Sequence, residues 1–204
     1  MKPVDGKPWD ARLAFLLVYP LRDTALTPNH LTTLRLLFGV LACAAFAAGG
    51  YGWSNAGAIC FVISNFLDHT DGELARIAGK SSRAGHYYDL ASDALVNILL
   101  FAGIGIGLAG GPLGPLAVPL GCLSGISVAA IFHMRNVIEQ AVGKSDARQP
   151  HAGGFEAEDI LYALPLVTLG EQLTAFLLLA SVGAPLFACW VLREYLRIRT
   201  TAIP

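Results

Sequence analysis

Six stretches of mostly apolar residues, separated by short polar or glycine-containing segments, constrain the fold of this chain more than any other feature. A bilayer core about 30 Å thick takes roughly 20 helical residues to cross. We therefore predict an all-α integral membrane protein with six transmembrane helices, the fifth of which begins in water near Phe155. The apolar stretches run approximately over Leu31–Ala48, Trp53–Leu74, His86–Ala109, Leu113–Ile138, Ile160–Leu169 with its flanks, and Leu173–Tyr195.

Composition agrees with a membrane location, since 54% of the residues are hydrophobic and only 14% are charged. The 14 Lys and Arg nearly balance the 15 Asp and Glu, so we predict no basic surface for nucleic acid. The four cysteines stand singly inside apolar stretches, without the paired spacing of a zinc or redox site.

The segment at about residues 9–21 precedes the first apolar stretch and has a different pattern. Trp9, Leu13 and Leu16 fall on one side, while Asp10 and Arg12 bracket it. This pattern predicts an amphipathic helix lying in the membrane interface. A short cap packed on the bundle is the alternative. Residues 27–199 would form the six-helix bundle, within one domain covering residues 1–204.

Lys and Arg residues indicate the orientation, because they concentrate in cytoplasmic loops. The short connections at residues 49–52, 110–112 and 170–172 contain neither residue type. We therefore predict a multi-pass protein of the inner (cytoplasmic) membrane, with both termini and the active site on the cytoplasmic side.

Four acids interrupt the second and third apolar stretches. Asp68 and Asp71 are three residues apart, and Asp89 and Asp93 are four apart, so each pair shares one helix face. An ionised side chain at mid-membrane costs about 2.5–3.5 kcal/mol, which makes such acids functional candidates. Four clustered carboxylates repel unless cations neutralise them. Their oxygen ligands favour hard ions such as Mg²⁺, Mn²⁺ or Ca²⁺, and their charge balances two divalent ions.

Small residues and an arginine accompany these acids. Gly72, Ala75 and Gly85 would let an anionic ligand approach the backbone, and the guanidinium of Arg76 suits two phosphate oxygens. A metal pair beside an arginine describes a diphosphate site, for which phosphoryl or phosphatidyl transfer is the natural chemistry.

Two other interpretations of the acids are open at this point. The acids could pair with Arg76, Lys80 and Arg83 as a cytoplasmic collar of salt bridges. Intramembrane acids also line ion pathways, so a divalent-metal transporter is a rival function. The transporter predicts acids spread through the membrane depth, whereas these four lie on one hairpin.

Together, the acids, the small residues and the arginine form the pattern D-x2-D-G-x2-A-R-x8-G-x3-D-x3-D from Asp68 to Asp93. This pattern resembles the signature of the CDP-alcohol phosphotransferases. The run Thr27-Pro28-Asn29-His30-Leu31-Thr32, followed by Arg35, is similar to the start of the first membrane helix in that family.

The resemblance implies a role for each matching residue. Asp68, Asp71 and Asp89 would bind two divalent metal ions, Mg²⁺ or Mn²⁺, while Asp93 would be the catalytic base and also contribute to metal binding. The residues implied to bind the CDP moiety are Gly72, Ala75, Arg76, Gly85, Asn29 and Thr32.

The acceptor site is less well matched. Arg135 corresponds to one basic residue of relatives that use inositol phosphate, and Arg193 and Arg197 could supply further cations. Helix five, however, begins with acids where those relatives are basic, which weakens the case for a sugar-phosphate acceptor. These acids are Glu156, Glu158 and Asp159. Alternatively, they lie in water at the N-terminus of the helix and are stabilised there by the helix dipole.

The predicted function is transfer of a phosphatidyl group from CDP-diacylglycerol to a small hydroxyl acceptor, with release of CMP, in phospholipid biosynthesis. Transfer of a head group from a soluble CDP-alcohol to a lipid alcohol is the alternative. The predicted partners are these substrates and membrane lipids. Gly121 and Gly125 form a GxxxG motif that suits either a homodimer face or packing within the bundle.

Overall fold

The structure, a computed structural model, describes residues 9–142 and 161–201, and the regular elements in these ranges are all helices. This confirms the predicted all-α fold. The long helices coincide with the predicted apolar stretches to within a few residues at most ends. The α-helices are α1 (Trp9–Val18), α2 (Pro28–Ala48), α3 (Tyr51–Ile77), α4 (Arg83–Leu108), α5 (Ala117–Val142), α6 (Leu164–Leu169) and α7 (Leu173–Thr201).

Four segments are long and apolar enough to cross a membrane: Pro28–Ala48, Arg83–Leu108, Gly114–Ala141 and Leu173–Arg199. α3 has 27 residues but carries charged motif residues in its C-terminal part, and it is not among the four. α6 has six residues, too few to cross a bilayer alone. The predicted start of the fifth span near Phe155 lies outside the described residues. The fold supports a multi-pass membrane protein, and six spans stays a prediction.

The predicted interfacial segment forms α1 and a short 3₁₀ helix, Tyr19–Leu21. α1 packs against α3, and Ala14 and Val18 are buried. Leu13, Leu16 and Leu17 are exposed, with 45–65% of their surface accessible. The helix therefore combines packing on the bundle with an exposed apolar surface, as an interfacial helix would.

Glycines allow α4 and α5 to pack closely. A Cβ atom at Gly121 would lie 2.3 Å from the carbonyl oxygen of Phe101, and one at Gly125 would lie 2.9 Å from the Cα of Ile98. The GxxxG motif is therefore used within the bundle, against α4. The GxxxG surface is therefore not available as a dimer face, and the homodimer itself stays a prediction.

Short turns and caps bring three helix ends to one end of the bundle. α2 begins at Pro28, where the amide of Thr27 donates to Nδ1 of His30 over 3.2 Å. α4 begins after Ser82, whose hydroxyl accepts from the amide of Gly85 over 3.0 Å. Only five residues separate the end of α3 from the start of α4, and α2 packs against both helices. The hairpin of α3 and α4 thus places their acids beside the start of α2.

Candidate active site

Three of the four motif acids form a group that suits a metal ion. One carboxylate oxygen from each of Asp68, Asp71 and Asp89 lies within 4.8 Å of the other two. Asp71 is buried, whereas Asp68 and Asp89 are partly exposed. Three converging carboxylates are a fitting donor set for a hard divalent cation. Asp93, the fourth predicted ligand, is not part of this group.

Arg35 connects Asp93 to the other acids. Its Nη1 atom donates to Asp68 over 2.5 Å and to Asp89 over 3.1 Å, and its Nη2 atom donates to Asp93. The side chain is 3% exposed. Three acids thus share one buried counter-cation, which reduces the repulsion among them. In the sequence Arg35 stood out only as part of the resemblance, although a lone cation in an apolar helix signals a partner.

The remaining motif acid, Asp71, has a different partner. The hydroxyl of Thr32 donates to its carboxylate over 2.7 Å, and both side chains are buried. Thr32, predicted to approach the CDP moiety, therefore also fixes one of the predicted metal ligands.

The proposed collar of salt bridges is absent from the described part of the chain. Arg76 pairs with Glu73 over 3.1 Å, and its Nε atom donates to the carbonyl oxygen of Gly72. Lys80 donates to two backbone carbonyl oxygens just before α2, and Arg83 makes no ion pair with the motif acids. The motif arginine is thus held by Glu73, a buried acid that sequence analysis missed although it lies within the motif.

A cavity of about 370 Å³, here called the motif cavity, lies between the start of α2 and the α3–α4 hairpin. Asp71 and Asp89 line it. A Cβ atom at Gly72 would meet no atom within 4 Å, so that part of the wall is open. Every residue predicted to bind the CDP moiety also lines this cavity: Asn29, Thr32, Gly72, Ala75, Arg76 and Gly85.

A second cavity, of about 220 Å³ and here called the Asp93 cavity, lies among α3, α4 and α5. Asp68 and Asp93 line it together with Arg135, one of the predicted acceptor-binding residues. Arg135 is buried, and its guanidinium lies 5.7 Å and 5.6 Å from the ring centroids of Phe187 and Trp190.

The other predicted acceptor-binding residues are elsewhere. Arg193 and Arg197 line a separate depression near the end of α7, which none of the motif acids lines. The structure thus brings Arg135 to the acids and does not bring Arg193 or Arg197 there.

The two cavities are lined by acids that lie close together, since carboxylate oxygens of Asp68 and Asp89 are within 4.8 Å of each other. Asp89 lines the motif cavity and Asp68 lines the Asp93 cavity, yet both accept from the same Nη1 atom of Arg35. Two ligands, one in each cavity, would therefore each border this group of acids. This arrangement suits a transfer between two bound substrates.

Comparison with known proteins agrees with this geometry. The chain is similar to an archaetidylinositol phosphate synthase of Pyrococcus horikoshii, with 33% identity over 87 residues. The aligned part is 43% of this chain and 45% of that protein, so the chain spans less than half the length of this relative. The family model described as CDP-alcohol phosphatidyltransferase matches residues 25–194. Because that match covers most of the chain, including all four motif acids, the protein belongs to the CDP-alcohol phosphatidyltransferase family and is a phosphotransferase enzyme.

Proposed function

We propose that this enzyme transfers the phosphatidyl group of CDP-diacylglycerol to a small hydroxyl acceptor and releases CMP. The observation that supports this most is that two cavities are lined by motif acids, Asp68 in one and Asp71 and Asp89 in the other, whose carboxylate oxygens lie within 4.8 Å of one another. Family membership favours this chemistry over a divalent-metal transporter.

The motif cavity is the proposed donor site. Arg76 lies on its wall with the guanidinium held by Glu73, and 63% of the Arg76 side chain is exposed. A held but accessible guanidinium suits two oxygens of a diphosphate. The open wall at Gly72 leaves space for the nucleotide.

Asp68, Asp71 and Asp89 would hold divalent ions, with Mg²⁺ or Mn²⁺ as the proposed metals and two ions as the proposed number. Such ions, when bound, neutralise the charge of a diphosphate and of the departing phosphate group. Arg35 and Thr32 keep the three carboxylates directed toward one another.

Asp93 is the proposed general base, because it lines the same cavity as Arg135, the cavity we assign to the acceptor. The acceptor oxygen would form a bond to the β-phosphorus, the one bearing diacylglycerol, while the bond from that phosphorus to the oxygen of CMP breaks. The proton of the acceptor hydroxyl passes to a carboxylate oxygen of Asp93. Arg135 would attract an anionic group of the acceptor.

The proposed location is the cytoplasmic membrane, with six spans and with both termini and the site facing the cytoplasm. The lack of Lys and Arg in the connections at the opposite end supports this orientation. The name of the Pyrococcus relative makes inositol phosphate one acceptor to test.

Acceptor-dependent release of CMP tests the proposal. Purified protein receives CDP-diacylglycerol labelled in the glycerol backbone, Mg²⁺ and one acceptor at a time from a panel of alcohols and phosphorylated polyols. We expect CMP and a labelled polar lipid with at least one acceptor, loss of both with EDTA, and recovery with Mg²⁺ or Mn²⁺.

Transfer of a head group from a soluble CDP-alcohol to a lipid alcohol is tested as the control. Labelled CDP-choline, CDP-ethanolamine or CDP-glycerol is supplied with diacylglycerol. Product from this mixture alone would show that the head group, rather than the phosphatidyl group, is transferred. Full activity after rigorous metal removal would contradict the role proposed for the acids.

A further inference from the structure

The Asp93 cavity contains a buried amide whose oxygen has no partner. Asn97 lines this cavity and is 6% exposed. Its Nδ2 atom donates to the backbone carbonyl oxygen of Asp93 over 3.0 Å, which fixes the orientation of the amide. Its Oδ1 atom makes no hydrogen bond with the described residues. Asn97 thus presents an unused acceptor one helical turn from the proposed base.

A second amide in the same cavity has an unused donor. Asn65, on α3, lines the Asp93 cavity three residues before Asp68. Its Nδ2 atom is buried and has no hydrogen-bond partner among the described residues. The cavity therefore offers one unused donor and one unused acceptor, on two different helices.

Buried polar atoms are normally hydrogen-bonded, so an unpaired donor and acceptor in one cavity point to a ligand. A hydroxyl group both donates and accepts, which matches this pair, whereas a carbonyl or an ammonium group matches only one member. The reacting hydroxyl is committed to Asp93, so the amides would bind other hydroxyls of the acceptor.

The cavity is large enough for such a molecule. An engineered cavity of about 150 Å³ holds benzene. A cavity of about 220 Å³ therefore has space for a six-carbon polyol.

We infer that the acceptor is polyhydroxylated, and that Asn65 and Asn97 bind its non-reacting hydroxyls. This inference rests on the proposed function, because it takes the Asp93 cavity as the acceptor site. It adds the chemical class of the acceptor and two specificity-determining residues.

The test compares acceptors that differ only in their non-reacting hydroxyls. One pair is inositol 1-phosphate and 2-hydroxycyclohexyl phosphate, and the other is glycerol 3-phosphate and 3-hydroxypropyl phosphate. Both members of a pair carry a phosphate, so the contribution of Arg135 to binding is the same for both and does not affect the ratio of their Kd values. Calorimetry on the purified full-length protein measures the Kd of each compound, and CMP release measures kcat/KM.

We expect the wild-type protein to favour the polyol of at least one pair by roughly tenfold or more in Kd. Asn65→Leu and Asn97→Leu should each reduce this preference to less than threefold, with binding of the deoxy compound unchanged. Asn65→Leu is the cleaner variant, because Asn97 also bonds to the backbone of Asp93.

Asn55→Leu is the matched control. Asn55 lies on the same helix as Asn65 and also has a buried unpaired amide atom, but it lines neither cavity. The preference for the polyol should persist in this variant.

Calorimetry keeps this inference separate from the proposed function. Preferential binding of the polyol that depends on Asn65, without CMP release from CDP-diacylglycerol, would support the inference and overturn the proposed donor. Equal binding of both members of each pair to wild type, or a preference that survives in both variants, would overturn the inference. Water would then be the partner of the two amides.

Discussion

Replacing Asp93 by Asn, with Asp89→Asn alongside, separates the proposed base from the proposed metal ligands. The two acids lie one turn apart on α4, yet Asp89 lines the motif cavity and Asp93 lines the other cavity. Asn keeps the size of the side chain and an oxygen that accepts from Arg35. The substitution at position 93 therefore removes mainly the negative charge and the proton-accepting group.

The expected loss in catalysis is larger than the structural cost. The guanidinium of Arg35 stays charged, so its hydrogen bond to Asn remains a bond to a charged group, within about 1.5–3 kcal/mol, and replacing the carboxylate by an amide can weaken it by at most about 1.5 kcal/mol. The free energy of unfolding should therefore fall by no more than about 1.5 kcal/mol, which lowers Tm by no more than roughly 6 °C in a chain of this length. Loss of a general base lowers kcat by about 10²- to 10⁴-fold, equivalent to about 2.7–5.5 kcal/mol in the activation barrier. Unfolding therefore does not account for such a loss at 25 °C.

The assay measures CDP-substrate affinity and acceptor-dependent turnover for both variants at saturating Mg²⁺. Asp93→Asn should retain affinity close to wild type and lose kcat, whereas Asp89→Asn should lose both affinity and turnover. Normal turnover of Asp93→Asn, or a loss of nucleotide binding as complete as that of Asp89→Asn, would refute the separation of base from ligand.

Three further experiments test the site, the packing and the orientation. Arg76→Lys keeps the charge but not the planar fork, so KM for the CDP substrate should rise about tenfold, and unchanged KM and kcat would remove Arg76 from the donor site. Gly121→Ala places a Cβ atom 2.3 Å from a carbonyl oxygen of α4 and should lower stability by about 1–3 kcal/mol in thermal unfolding, whereas Gly183→Ala, which meets no atom within 4 Å, should not. In a variant without native cysteines, Cys at Gly111 should react with an impermeant thiol reagent outside intact cells and Cys at Ser81 should not; the reverse pattern would contradict a cytoplasmic active site.

The sequence by itself determined the helical class and indicated the family through the motif. Apolar stretches of about 20 residues have few folded alternatives, because a bilayer satisfies no backbone hydrogen bonds. The spacing of the acids also fixed their helix faces, since a helix repeats every 3.6 residues and a short hairpin leaves little freedom between α3 and α4. These constraints are local in the chain, and sequence patterns report them directly.

The tertiary structure decided how the acids are shared. Asp68, Asp71 and Asp89 form one group, while Arg35, from a different helix, connects Asp93 to Asp68 and Asp89. No spacing within one segment reports such a contact, because it depends on the packing of α2 against both α3 and α4.

The division of the site into two cavities likewise belongs to the tertiary structure. Arg135 lies at the acids and Arg193 does not, although each is a basic residue near the polar end of an apolar helix. The unpaired amides of Asn65 and Asn97 carry no distinctive sequence signal, since an asparagine in a helix is common. Their shared cavity is lined by residues from α3, α4 and α5, and the arrangement of such separate segments is what a sequence pattern alone does not specify.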